Sequence, residues 1–306
     1  MTTLTLKSYQ QAALDALRAF ARSAQLKGAA MAFGEAVGRP YNADPFGRVP
    51  CICLRIPTGG GKTLMAAHAV NVLAQEWRAT DAPVAVWLVP SDTIRSQTLK
   101  ALQTAGHPYR EALEASYGSG VRVCVLEDLA NIAPPDWGQR AIVLVATIQS
   151  FRVDDTDKRN VYSFSESFER HFKGYDEQRL RVLHGLPDAL VTPEEAENNK
   201  AGADKTGVLA GFVGQPRWSL ANWLALHEPL VIVDEAHNTK TDKSFTALKR
   251  LNPSAILELT ATPIPSKTNV LYHVSAQELA AESMIKLPIA LAEHPQGWQQ
   301  AVFAAV

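Results

Sequence analysis

The nine residues RIPTGGGKT, Arg55 to Thr63, join a run of apolar β-formers to a helical pattern through three consecutive glycines. A strand, a glycine loop and a helix in that order call for a crossover connection, and so for parallel strands with helices packed on the sheet. Gly59, Gly60 and Gly61 let successive backbone N–H groups point inward around a phosphate, and the N-terminus of the next helix adds positive potential. Lys62 then reaches the β and γ phosphates of a nucleotide, and the hydroxyl of Thr63 is placed to ligate magnesium. The strict phosphate-loop pattern asks for glycine six residues before the lysine, where this chain has Ile56. The plain alternative is a flexible glycine turn that precedes a lysine by chance. The flanking strand and helix patterns count against it.

The same rhythm runs through the rest of the chain. Six apolar runs are strand candidates: CICLRI (51–56), VAVWLV (84–89), VRVCVL (121–126), AIVLVA (141–146), LVIV (230–233) and AILEL (255–259). Each is apolar along its length, as strands covered on both faces should be. Helix-length segments lie between several of them, among them Lys62 to Trp77 and Asp92 to Leu102. An opening helix from about Tyr9 carries Ala13, Leu17, Phe20 and Ala24 on one face. A loop with Gly38, Pro40, Pro45, Gly47 and Pro50 follows. More than eighty residues part the fourth and fifth strands, where one helix would suffice. That stretch reads as an insertion, with FSESFERHF and QRLRVLHGL as short helices and TPEEAENNKAGADKTG (192–207) as an exposed loop.

Hydrophobic residues make up 46% of the 306, enough for a full core. The net charge of −1, from 30 basic and 31 acidic residues, argues against a large basic face. Main-chain N–H groups and helix N-termini can still hold a phosphate backbone without one. Cys51, Cys53 and Cys124 form neither an even disulfide set nor a zinc pattern, and read as small buried side chains. The N-terminus lacks the layout of a signal peptide, and no apolar run nears the ~20 residues of a membrane span. A cytoplasmic protein with no membrane partner is the expectation.

Two further motifs sit at strand ends. VIVDEAH (231–237) places Asp234 and Glu235 at the carboxyl edge of the sheet, where α/β folds bind ligands. Asp234 would hold magnesium, and Glu235 would orient and deprotonate an attacking water. LTATP (259–263) places Thr260 and Thr262 to hydrogen-bond with the acidic motif, provided the two strands are sheet neighbours. Between the motifs, a helix capped by Thr241 or Asp242 would turn Phe245 and Leu248 inward and set Lys249 and Arg250 at its C-terminus. Asn252-Pro253 would stop it.

In this order T-G-G-G-K-T, D-E-A-H and T-A-T-P resemble the first motor lobe of superfamily 2 helicases and translocases. That group writes its loop x-x-T-G-x-G-K-T, so Ile56 fits and Thr58 joins the loop. The resemblance implies a RecA-like P-loop NTPase, a three-layer α/β sandwich with a mostly parallel sheet and an insertion before the DEAH strand. It implies ATP and Mg2+ as ligands, with Gln10 of LKSYQ reading adenine and His237 coupling the γ-phosphate site to T-A-T-P. LVPSDTIRSQ and VATIQSF resemble nucleic-acid-contact motifs, which implies contacts from Pro90, Ser91, Thr147 and Gln149, with Arg95 as a further candidate. Asp92 stands where DEAD-box RNA helicases carry arginine, which counts against that subgroup.

The run from VDEAH to TATP looks like the helicase subunit of type III restriction enzymes, DNA translocases that drive DNA cleavage. The organisation expected from it is an adenine-recognition helix and loop (1–50), an ATP-binding lobe (51–275) with an insertion at about 152–225, and the start of a linker (276–306). No Q-x-x-G-R-x-x-R pattern follows T-A-T-P. The arginines that such motors bring to ATP are therefore expected from a second lobe, as on a longer parent chain. The partners implied are DNA, duplex or single-stranded, that second lobe, a nuclease domain and a modification or specificity subunit. Three other readings stay open here: a nucleotide-gated binding module without translocation, an RNA helicase, and a P-loop kinase of small molecules.

Overall fold

Seven strands form one sheet in the order β3–β4–β2–β5–β6–β1–β7, and every adjacent pair is parallel. The structure is a computed structural model that describes residues 5–133, 136–152, 161–201 and 208–284. The strands are β1 Cys51–Arg55, β2 Val84–Val89, β3 Arg122–Cys124, β4 Ile142–Thr147, β5 Leu230–Asp234, β6 Ala255–Thr260 and β7 Val270–His273. The first six fall on the apolar runs expected as strands. β7 is an edge strand of four residues with only Leu271 buried, too short and too mixed to stand out in the sequence.

Alternation along each strand builds a core on both faces of the sheet. On one face Ala85, Trp87 and Val89 of β2 join Val143 and Val145 of β4. There they meet α1 (Ser8–Lys27), α2 (Ala29–Val37), α3 (Lys62–Glu76) and α5 (Pro108–Tyr117). On the other, Val86, Leu88, Leu144, Val231 and Val233 meet α9 (Leu220–Leu226), α10 (Asp242–Arg250) and the insertion. The result is the three-layer α/β sandwich expected. The apolar face read for α1 is buried, Leu17 fully, in the same core as Met65 of α3. The segment 29–37, left in the approach to a loop, is helix α2. Thr241 caps α10, Asn252 follows it at φ 49°, and Cys51, Cys53 and Cys124 are buried.

The insertion departs from the loop expected at 192–207. Pro193–Ala201 is helix α8. Thr192 and Glu195 cap it reciprocally, Glu195 N–H donating to Thr192 Oγ1 at 3.2 Å and Thr192 N–H to Glu195 Oε2 at 2.9 Å. A T-x-x-E box with proline at the first helical position was the signal, outweighed by the scarcity of apolar residues. Ala196 packs with Val191 and Leu209, and buried Arg217 pairs with Glu195. The remainder of that expected loop, and the expected linker beyond residue 284, lie outside the described residues. α6 (Glu169–Phe172) and α7 (Glu177–Leu180) are the short helices expected. Among the described residues no helix is long and apolar enough to cross a membrane.

Under the insertion, Trp137, His171, Trp223 and His227 pack ring against ring. Burial pushes the His227 imidazole down to about 3, and Arg179, His171 and Arg78 add to the effect. The native fold thus holds this ring neutral, while the unfolded chain binds its proton near pH 6.5. Stability falls as pH drops from about 6.5 towards 3, because only the unfolded state takes up the proton. His227 should cost about 2 kcal/mol of stability at pH 5 relative to pH 7.5. In urea unfolding at the two pH values, His227→Gln should lose about that much less than the native chain. An identical loss in both would contradict this account of the cluster.

Candidate nucleotide site at the carboxyl edge of the sheet

Three loops leave the carboxyl ends of β1, β5 and β6 and converge. β6 lies between the other two strands, with Arg55 in register with Thr260 and Asp234 with Leu259. The glycine loop turns under Ile56, which is fully buried and donates its N–H to Thr260 O at 3.1 Å. A methyl group on Gly60 would stand 2.7 Å from Ile56 Cγ2, so Ile56 and Gly60 are a matched pair. Gly61, at φ 80°, is the N-cap of α3, and no side chain caps that helix. By contrast α4 (Asp92–Gln103), α9, α10 and α11 (Ala276–Ala281) are capped by Ser91, Ser219, Thr241 and Ser275. The first N–H groups of α3 are therefore left for an acceptor from outside the chain.

Asp234 and Glu235 would point to opposite faces if β5 simply continued. Glu235 instead adopts φ 51°, a left-handed conformation that few residues other than glycine hold without cost. The turn carries its carboxylate to Lys62, with Nζ to Oε1 at 2.9 Å. Glu235 Oε2 lies 3.5 Å from His237 Nδ1, which lies 3.0 Å from Thr260 Oγ1. Thr260 Oγ1 also accepts from Thr262 N–H at 3.2 Å. One chain of polar contacts thus links the glycine loop, D-E-A-H and T-A-T-P, as expected of neighbouring strands.

The electrostatics leave a cation wanting. Asp234 is 8% exposed and its carboxyl is pushed up to about 6, first by burial and then by the charge of Glu235, against the opposing pull of Lys62. Two carboxylates face one ammonium, so the cluster is short of one positive charge. Thr63, in the first turn of α3 beside Lys62, is half-buried.

Gln10 is placed at the loop but occupied. Its Nε2 is 3.4 Å from Gly60 O and its Oε1 accepts from Lys7 N–H at 3.0 Å. Thr58 is exposed. Pro90 and Ser91 follow β2, whose last residue Val89 is in register with Thr147 at the end of β4. LVPSDTIRSQ and VATIQSF therefore share one half of the carboxyl edge, and the glycine loop, D-E-A-H and T-A-T-P the other. Gln149 is exposed, Ser91 Oγ caps α4, and buried Thr147 bonds Ser150 at 3.1 Å.

Three contributors went unread in the sequence. The buried Tyr9 hydroxyl donates to Gly60 O at 2.9 Å and pins the loop. Leu279 of α11 is fully buried against the loop, where its Cδ2 would meet a methyl on Gly60 at 3.2 Å. Lys240 and Glu258 form a buried ion pair between the D-E-A-H turn and β6, and Lys240 also donates to Lys267 O at 3.1 Å. A glutamate inside the apolar run AILEL was the signal for that pair, since a buried charge needs a partner.

The chain matches the family model of the type III restriction enzyme, res subunit, over residues 3–265. No curated protein matches it. Among solved structures it is similar to a nuclease-deletion mutant of the Type ISP restriction-modification enzyme LlaGI with a DNA substrate mimic. There the identity is 13% and the TM-score 0.44, over 92% of this chain and 21% of that one. It is also similar to the Sulfolobus solfataricus SWI2/SNF2 ATPase core with dsDNA, at 17% identity and TM-score 0.38, over 88% of this chain and 35% of that one. A third is the Pyrococcus furiosus Hef helicase domain, at 13% identity and TM-score 0.36, over 90% of this chain and 36% of that one. The chain thus spans between a fifth and two fifths of the length of these solved chains.

The fit of Ile56 under the loop is open to test. In Gly60→Ala the new methyl meets Ile56 Cγ2, Pro57 O at 3.1 Å and Leu279. Overpacking of this kind should cost about 1–3 kcal/mol in urea unfolding. Gly120→Ala, with nothing within 4 Å of its methyl, should stay within about 0.5 kcal/mol of the parent. Equal costs at both positions would sink the account.

Proposed function

Because the chain belongs to the res-subunit family of type III restriction enzymes, we propose that its carboxyl-edge site binds ATP with magnesium and hydrolyses the γ-phosphate, as the first lobe of a motor that moves on DNA. The observation that carries this reading is the contact of Lys62 with Glu235 and its continuation through His237 to Thr260. A pure nucleotide switch needs the phosphate loop and the lysine, but not a carboxylate held beside them. Residues 59–63 and the uncapped start of α3 fit a triphosphate, and the charge deficit at Asp234 and Glu235 fits a divalent cation. Magnesium held by Thr63 and Asp234 would offset the charge on the phosphates.

The chain's own residues divide the remaining tasks. Loop N–H groups hold the phosphates, and Gln10 turns its amide from Gly60 O to the adenine edge. Lys62 has one ammonium and two claimants. A bound phosphate draws it from Glu235, and the released carboxylate accepts a proton from water aimed at the γ-phosphate. Basicity therefore appears at Glu235 only when nucleotide is present. His237 senses the change in Glu235 and passes it to Thr260 and Thr262, on the edge that continues to Thr147, Gln149, Pro90 and Ser91. Those four hold the phosphate backbone of DNA, and a second lobe closes over the nucleotide with arginines. The insertion, the linker after α11 and any nuclease or modification partner belong to the full-length assembly.

Lys62→Ala should weaken ATP affinity at least about tenfold, read by calorimetry. Glu235→Gln should bind ATP as tightly as the parent or more so, since it removes Lys62's competing partner, while hydrolysis falls on the order of 100-fold. Unchanged hydrolysis in Glu235→Gln would remove the catalytic assignment. On the full-length protein, duplex DNA should stimulate hydrolysis more than RNA does. Equal stimulation by both would count against a DNA motor.

A further inference from the structure

A second cavity, of about 390 Å³, opens at the opposite edge of the sheet, where β2 and β5 begin at Val84 and Leu230. β5 starts at this cavity and ends at Asp234 in the nucleotide site, so one strand, ~13 Å long, separates the two. The insertion supplies part of the cavity's wall, from Arg170 to Arg179 and at Trp223.

That wall is aromatic, with Trp137, His171 and Trp223 lining it. Its rim is basic, with Arg78, Arg170 and Arg179 against the single carboxylate of Glu228. Arg78 already holds Glu228 at 3.0 Å. Arg170 and Arg179 each donate to a main-chain carbonyl, those of Ala130 and Leu226, and make no ion pair among the described residues. Each guanidinium carries five N–H donors, so most of this capacity is free for an anion.

Trp137 Nε1 and the His171 ring nitrogens are buried and out of reach of the cavity, so these rings meet it through their apolar faces and edges.

We propose that this cavity binds a phosphate monoester bearing a planar aromatic ring, of the size of a mononucleotide. The ring lies against Trp137, which is half-buried in the cavity wall. The phosphate meets Arg170 and Arg179, whose planar forks suit its oxygens. The volume is in the range of small-ligand sites, and the insertion supplies the two arginines that meet the phosphate.

The test uses the full chain carrying Lys62→Ala, so that the phosphate loop does not contribute, with 15N-labelled indoles and adenosine 5′-monophosphate as probe. The Trp137 indole N–H resonance, assigned by its loss in Trp137→Phe, should shift saturably, with the same affinity in the Lys62→Ala and Lys62 chains. Arg170→Ala/Arg179→Ala should weaken binding about tenfold or more, as the loss of charge-assisted hydrogen bonds implies. If that variant does not fold, Arg170→Lys/Arg179→Lys keeps the charge, loses the fork and should still weaken binding. Inorganic phosphate and adenosine, each tried alone, should bind about tenfold more weakly than the monophosphate. The proposal is overturned if Trp137 does not shift at millimolar probe, if the shift needs Lys62, if the arginine variants bind as the parent does, or if phosphate alone binds equally well.

Discussion

Lys62 and Glu235 meet across a strand that belongs to neither of them. The lysine opens the helix after β1 and the glutamate follows β5, and β6 runs between. Their contact requires both loops to bend over the end of β6, which is why Thr260 comes within reach of His237. With its side chain 9% exposed, Lys62 is too buried to leave unpaired. The fold therefore needs an anion at that ammonium, and Glu235 supplies it. In the function proposed above, an arriving phosphate would compete for the same charge, so that one cation would serve two anions.

Other parts of the molecule hold that geometry. The buried Lys240–Glu258 pair ties the turn after D-E-A-H to the middle of β6, and Lys240 continues to the carbonyl of Lys267 beyond T-A-T-P. Burial pushes the Glu258 carboxyl up while Lys240 holds it down, so the pair is mutually dependent. Tyr9, Ile56 and Leu279 grip the glycine loop from three directions, which restricts a segment whose glycines would otherwise leave it loose. α11 is held in turn by Glu282, whose Oε1 accepts from Ser8 N–H at 3.1 Å. The two ends of the described chain thereby close on the loop together.

The insertion shows where local reading fails. Its composition suggested an exposed loop, yet a capping box and one buried alanine suffice for helix α8, because Arg217 and Glu195 anchor it from the far side. Helix α2 and strand β7 were missed for a related reason. Each is short, and each is stabilised by the face it buries rather than by its own propensity. The six long apolar strands were legible because burial on both faces leaves no room for polar alternation.

The sequence by itself determined the layered α/β architecture, the positions of β1 to β6, and the residues at the carboxyl edge, since glycine spacing, apolar runs and acidic strand ends are local signals. It also carried the cap at Thr241 and the burial of the cysteines. Only the tertiary structure decided that Glu235 turns to Lys62 rather than away, that Gln10 rests on Gly60, and that Tyr9 and Leu279 clamp the loop. It alone placed Trp137, His171 and the arginines around one cavity. The contacts at the glycine loop join residues 50 to 219 positions apart, and sheet order, which no local pattern encodes, brings them together.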